Sequence, residues 1–253
     1  MTTWVFLRGL GREARHWGDF PQRFRSVLGE GAGDILTPDL PGNGHLFDVS
    51  SPTRVDAMLE ACRQALKARG HAPPYHVLAL SLGGMVAAAW ATRYPAECRA
   101  TVLISTSLRP YCPVFQRLRP ATWLTLARLL LLDGEAREGA ILEMTSARPE
   151  AHRTLVPVWA AYARQFPPTR RNVLRQLLAA ARFKVVQKPD IPVLLLAGLC
   201  DHMVHPDCSC RLADAWDAGL ALHPDAGHDL PLDDGDWVAR EVATWLAETG
   251  LAD

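Results

Sequence analysis

The stretch His76-Val77-Leu78-Ala79-Leu80-Ser81-Leu82-Gly83-Gly84-Met85 decides how the rest of the chain is read. An apolar run of strand length stops at a serine and two glycines follow at once. Val86-Ala87-Ala88-Ala89-Trp90-Ala91 then continues with alanine-rich sequence that favours helix. The pattern predicts strand, sharp turn and helix, with Ser81 at the turn. A nucleophile elbow requires this build: the serine sits in a strained backbone, and small neighbours let the helix approach the strand. The hydroxyl is then exposed at the end of the sheet. The turn also aims the Leu82 N–H into the same space, at a helix N-terminus that favours negative charge. Ala79 stands at the first glycine position of G-x-S-x-G. The plainer alternative is an ordinary strand-to-helix turn with a capping serine.

Outward from this stretch, apolar runs at 4–7, 34–40, 100–105, 191–198 and 220–223 read as strands. Helical spacing covers 17–28, 53–69, 207–217 and 236–247. Continuous apolar strands alternating with helices imply a mostly parallel sheet of about six strands, covered on both faces. Residues 107–190 break this rhythm, with helical patterns separated by prolines and no convincing strand. The expected organisation is therefore a core built from 1–106 and 191–253, with 107–190 inserted between strands.

Composition sets the outer bounds. The chain has 253 residues, 49% hydrophobic and 21% charged, with zero formal net charge. That suits one large α/β domain and offers no general attraction to nucleic acid. No basic segment leads into a long apolar stretch, and no run approaches the ~18 apolar residues of a membrane span, so neither a signal peptide nor a membrane segment is expected. The six cysteines lack zinc-finger spacing, Cys208-Ser209-Cys210 included. They read as reduced thiols of a cytoplasmic protein, with no metal.

A serine nucleophile needs a base, and the base needs an acid to orient it. Gly198-Leu199-Cys200-Asp201-His202-Met203-Val204 follows the 191–198 strand, and Pro224-Asp225-Ala226-Gly227-His228-Asp229 follows the last one. Each puts a candidate, Asp201 and His228, just beyond a strand end, in the order Ser, Asp, His. Asp201 also fits a turn or helix-cap role. His202 and His205 compete with His228 but share the loop of Asp201, and His223 falls inside a predicted strand. The loop Arg8-Gly9-Leu10-Gly11 follows the first strand and offers the Leu10 N–H as partner to that of Leu82 for an oxyanion hole.

These motifs together resemble an α/β-hydrolase fold carboxylesterase. Asp39-Leu40-Pro41-Gly42-Asn43-Gly44 is similar to the family's D-x-P-G-x-G loop, and the resemblance runs on through Gly198-x-x-Asp201-x-x-Val204 and Gly227-His228. Within the family the chain looks closest to the pimeloyl-carrier-protein methyl esterase of biotin synthesis and its relatives. Arg8-Gly9 replaces the usual His-Gly, and the first strand here precedes the oxyanion loop directly. The resemblance implies a Ser81–His228–Asp201 triad cleaving an ester or thioester without cofactor, and a helical lid at 107–190. Carbon–carbon bond hydrolysis and a non-catalytic ligand sensor are alternatives on the same scaffold.

The lid segment carries 14 Arg and Lys against 6 Asp and Glu. Such segregation can steer an acidic partner, such as a carrier protein that delivers the substrate. Arg171, Arg175 and Arg182 share one side of a predicted helix, where they are either that docking face or a solvated edge. Trp17 is a further pocket candidate. Trp123, Trp159, Tyr162 and Phe166 are expected to line an apolar acyl pocket or to pack the lid on the body.

Overall fold

The computed structural model describes residues 2–251. Strands β1 (Thr3–Leu7), β2 (Asp34–Leu36), β3 (Tyr75–Leu80), β4 (Cys98–Ile104), β5 (Val193–Gly198) and β6 (Gly219–His223) form one sheet in the order β2-β1-β3-β4-β5-β6, and every pairing is parallel. The helices are α1 (Phe20–Leu28), α2 (Val55–Ala68), α3 (Leu82–Arg93), α4 (Val114–Arg117), α5 (Pro120–Leu129), α6 (Gly134–Thr145), α7 (Leu155–Gln165), α8 (Arg170–Arg182), α9 (Asp207–Trp216) and α10 (Leu230–Glu248). Five of them, α4 to α8, lie between β4 and β5.

The apolar runs are unbroken because both sheet faces are covered. Val5, Leu7, Val77, Ala79, Leu103 and Leu195 point to the side of α2, α3 and α9, against Met58, Trp90 and Trp216. Their neighbours Trp4, Phe6, Leu78, Leu80, Val102 and Leu196 point to the other side, against Phe20 and Phe24 of α1 and Val238 and Val242 of α10. This is the two-residue period of a strand with an apolar layer on each face.

Several boundaries differ from the sequence expectation. The second strand ends at Leu36 rather than 40. Pro38 has no N–H to donate, and the Asp39 carboxylate accepts from Ala14 N at 2.8 Å and His45 N at 3.0 Å, which turns the chain out of the sheet. The first helix starts at Phe20, because Ala14–Trp17 forms a short 3-10 turn that ends at Gly18 with φ +56°. The last helix begins at Leu230, six residues before the expected start, with a kink at Asp234 (φ −152°, ψ 79°). Asp234 Oδ1 caps Trp237 N at 2.9 Å, so the expected start is where the second piece begins.

The glycines after Ser81 let α3 lie against the sheet. A Cβ on Gly83 would stand 2.7 Å from Arg8 O, and one on Gly84 2.9 Å from Thr106 Cβ. Gly83→Ala should therefore destabilise the fold by roughly 1–3 kcal/mol, as overpacking against backbone does. Urea unfolding checks this; a loss under about 0.5 kcal/mol, the size of a neutral surface change, would mean that α3 does not depend on the close approach.

Candidate active site

Ser81 joins β3 to α3 with φ 56° and ψ −113°, a backbone that non-glycine residues adopt only where the surroundings hold it. Ser81 N donates to Ile104 O at 2.9 Å, which fixes the turn to the end of β4. Leu82 is the first residue of α3, so its N–H has no carbonyl one turn earlier within the helix. The loop after β1 runs directly beside the turn: a Cβ on Gly9 would lie 3.3 Å from Ser81 Cβ. Ala79 is buried in β3 without strain, its added methyl being part of the core.

Asp201 and His228 come from the loops after β5 and β6. Gly198 lets these loops touch, since Cys200 N donates to Ala226 O at 3.1 Å and a side chain at Gly198 would strike that carbonyl. The Asp201 carboxylate is buried. Its Oδ1 accepts from Met203 N at 2.7 Å and Val204 N at 2.9 Å, and its Oδ2 meets His228 Nδ1 at 2.7 Å. A carboxylate can only accept, so Nδ1 carries the proton and Nε2 holds the free lone pair. Burial lowers the His228 pKa, but the charge and hydrogen bond of Asp201, with the charge of Asp229, outweigh it and leave it above the ordinary histidine value. Of the competing histidines, His223 accepts from Ala226 N at 2.9 Å and His205 from Asp207 N at 3.2 Å, both as loop braces.

Arg8 stands where the resemblance leads one to expect histidine. Its guanidinium binds Asp229 through both carboxylate oxygens, at 3.1 and 2.6 Å, and lies 4.7 Å over the Trp17 ring. Both partners are buried. Desolvation would raise the Asp229 pKa, but Arg8 more than reverses it and holds the carboxyl below the usual range. The residue next to His228 is thus tied to the loop beside Ser81. A second clamp is polar: Gly11 N donates to Gln176 Oε1 at 2.9 Å, Gln176 Nε2 donates to Asn43 Oδ1 at 2.9 Å, and Asn43 Nδ2 donates to Arg12 O at 2.9 Å. The Pro41–Gly44 turn thus acts as a strut between the first loop and α8. Neither the Arg8–Asp229 pair nor Gln176 was singled out from sequence. Asn172, Gln176 and Ala179 form the buried stripe of α8, and its two amides carry no apolar signal that would mark burial.

Ser81 and His228 open onto one cavity of about 70 Å³, walled by Leu10, Leu126, Leu129, Ile141, Met144 and Leu177, with Arg8, Arg12, Arg137 and Asp229 also on its surface. A larger cleft, about 830 Å³, lies over Arg54, Arg93 and Arg182 and includes neither Ser81 nor His228, so size does not mark the site here. Among the described residues no cluster of three or more His, Cys, Asp or Glu is placed to hold a metal.

The aromatic candidates do not line the Ser81 cavity. Trp17 supports Arg8 and packs in the core beneath. Trp159 lies under Arg12 at 4.4 Å, while Tyr162 and Phe166 flank Arg15 at 4.2 and 4.8 Å. They form a platform for three arginines of the first loop, and Trp123 is 48% exposed. Cavity walls are aliphatic instead. Arg171, Arg175 and Arg182 lie on the side of α8 away from Val173 and Leu177, which face the cavity; Arg175 Nε donates to Ser51 O at 2.5 Å, and Arg182 borders the larger cleft.

A family model for the alpha/beta hydrolase family matches residues 4–241, and the chain belongs to that family. Among curated relatives it is similar to Lipase 3 of Moraxella sp. (strain TA144), 24% identical over 200 residues, which is 77% of this chain and 63% of the lipase. It is also similar to the uncharacterized protein YbdG of Bacillus subtilis (strain 168), 36% identical over 75 residues, 29% of this chain and 23% of that protein. The chain thus spans less than two thirds of the curated relatives it matches. Two similar solved structures are a thermophilic esterase from Thermogutta terrifontis (TM-score 0.75, 19% identity, 98% of this chain and 90% of the other) and a meta-cleavage product hydrolase from Pseudomonas fluorescens IP01 (TM-score 0.77, 17% identity, 98% and 92%). At such identities the likeness is one of fold.

Removing Arg8 leaves the Asp229 charge buried and unpaired. Arg8→Met should cost about 3–5 kcal/mol in urea unfolding, and Arg8→Met with Asp229→Leu should recover most of it, because no charge is then stranded. Equal losses in the single and double variants would show that the ion pair is not what the loops rest on.

Proposed function

We propose that the protein is a serine hydrolase that cleaves a carboxylic ester or thioester through an acyl-enzyme. The observation that carries this reading is the arrangement around His228: it shares a cavity with Ser81, which sits in a strained elbow, and its far ring nitrogen is held by Asp201 at 2.7 Å. His228 Nε2 takes the Ser81 proton as Oγ attacks the acyl carbon. The carbonyl electrons move onto oxygen, where the N–H groups of Leu10 and Leu82 stabilise the anion. The electrons return, the leaving group departs with the proton from His228, and water repeats the sequence to free the acid. Asp201 holds the imidazole tautomer and stabilises the cation that forms.

Residues 107–190 act as the lid in this proposal, since α5, α6 and α8 supply most of the apolar side chains that wall the cavity. The cavity is well below the roughly 300–1,000 Å³ of ordinary ligand sites, which favours a short acyl group. A small free ester fits better than a carrier-bound acyl ester, because the Arg171, Arg175 and Arg182 side of α8 faces away from the cavity. We also place the protein in a reducing cytoplasm. All six cysteines are free thiols, four of them buried.

Ser81→Ala should lower kcat on short p-nitrophenyl esters by at least about 1,000-fold; equal rates in the two proteins would sink the assignment. The base is neutral His228, and its pKa is raised. Hence kcat/KM should increase with pH through an apparent pKa above histidine's usual ~6.5, with activity lost below it. A profile flat from about pH 5 to about pH 8, with chemistry rate-limiting, would contradict His228 as the base.

A further inference from the structure

We propose that Arg137 makes the cavity selective for esters that carry a carboxylate away from the scissile bond, such as monoesters of short dicarboxylic acids; this rests on the hydrolase reading and names its substrate class. Three guanidiniums line the cavity against one carboxylate. Two of them are already satisfied: Arg8 by Asp229, and Arg12 by Glu138 at 2.5 Å. Arg137 is different. Among the described residues it has no salt-bridge partner, and its Nε is buried without a hydrogen bond. The acids near it are engaged elsewhere, Glu138 with Arg12 and Asp133 with Arg170 at 3.6 Å. Burial draws the Arg137 pKa down, yet a guanidinium stays charged at any physiological pH.

Its direction follows from the helix. Arg137, Ile141 and Met144 stand at i, i+4 and i+7 on α6, and all three line the cavity. The surroundings are otherwise aliphatic: Leu126, Leu129, Leu130, Val173 and Leu177. An unpaired cation in such a wall is costly to desolvate, and a carboxylate with its two oxygens matches the guanidinium fork. A neutral ester of the same length leaves the cation unpaired. The small cavity volume keeps the spacer between the two carboxyl carbons to a few methylenes.

The test compares monomethyl glutarate with methyl pentanoate, which differ by a carboxylate in place of a methyl, and repeats the pair with monomethyl succinate and methyl butanoate. Proton release in a pH-stat gives kcat/KM. Wild type should prefer the charged ester in at least one pair. Arg137→Met should reduce that preference on the order of 10- to 100-fold, as expected for loss of a hydrogen bond to a charged group, mainly through KM. Arg137→Lys should keep part of it. A parallel measurement is independent of turnover: glutarate or succinate should raise the melting temperature of Ser81→Ala but not of Ser81→Ala/Arg137→Met. No preference in either pair, or a preference unchanged in Arg137→Met, overturns the proposal. If wild type hydrolyses none of the esters while the dicarboxylates still stabilise Ser81→Ala through Arg137, the hydrolase reading fails and the anion site stands. If the esters are cleaved but the dicarboxylates stabilise both variants equally, the anion site fails alone.

Discussion

The site depends on the buried contact between Arg8 and Asp229. In the sheet, β1 and β6 are separated by β3, β4 and β5, so their ends are four strand spacings apart, roughly 19 Å at ~4.8 Å each. Backbone pairing therefore cannot set the distance between the loop after β1 and the loop after β6. A two-pronged side-chain contact of 3.1 and 2.6 Å can. The cost is two desolvated charges. Both prongs are satisfied and the guanidinium face rests on Trp17, but Arg8 Nε is left without a partner. That residual deficit shows the pair serving position more than stability.

The same pair tunes the neighbouring base. His228 feels Asp201 and Asp229 raising its pKa, and burial and Arg8 lowering it. Because Arg8 and Asp229 act with opposite sign from adjacent positions, much of their effect on the imidazole cancels. Asp201 is then the dominant favourable partner, and it is the one in direct hydrogen-bond contact. An unpaired carboxylate beside His228 would raise its pKa further and leave less of the neutral base.

The sheet was readable from sequence because each strand is buried on both faces, so continuous apolar runs such as Val102-Leu103-Ile104 and Leu194-Leu195-Leu196 stand out. The elbow was readable because a serine followed by two glycines has a steric reason at Gly83 and Gly84. The order of Gly-flanked loops singles out Asp201 and His228, which the structure places 2.7 Å apart. What periodicity could not supply is the identity of the surface that a helix face meets. On α8 the arginines were grouped on one side correctly, but that side faces away from the cavity. The aromatic residues of α7 were sound candidates for burial, yet they stack on arginines twelve or more dozens of residues away along the chain. Long-range ionic and cation–π pairs leave no periodic trace, and for that reason Arg12 and Arg137 were indistinguishable from the other arginines, while Arg8 stood out only as a departure from the family's histidine.

Polar contacts join the inserted helices to the body, beside the apolar packing of Ala179 in the main core and of Leu118 and Met144 against Met203 and Val204. Gln176 bridges to Asn43 and Ser51, Arg119 donates to Asp201 O at 2.9 Å, and Asp229 N donates to Thr145 O at 2.9 Å. Asp233 closes the same junction, accepting from Gly227 N at 2.7 Å and Ala147 N at 2.9 Å. Contacts of this kind fix orientation and can be exchanged for water at modest net cost, whereas apolar burial cannot. They are also distributed unevenly. The start of α5 is tied to the Asp201 loop, but within the helix only Thr122 and Leu129 are buried, and Trp123 and Leu124 point to solvent. By contrast α8 is held by Asn172, Gln176 and Ala179. Since α5 contributes Leu126 and Leu129 to the wall of a cavity of about 70 Å³, the position of this helix helps to set the size of the site.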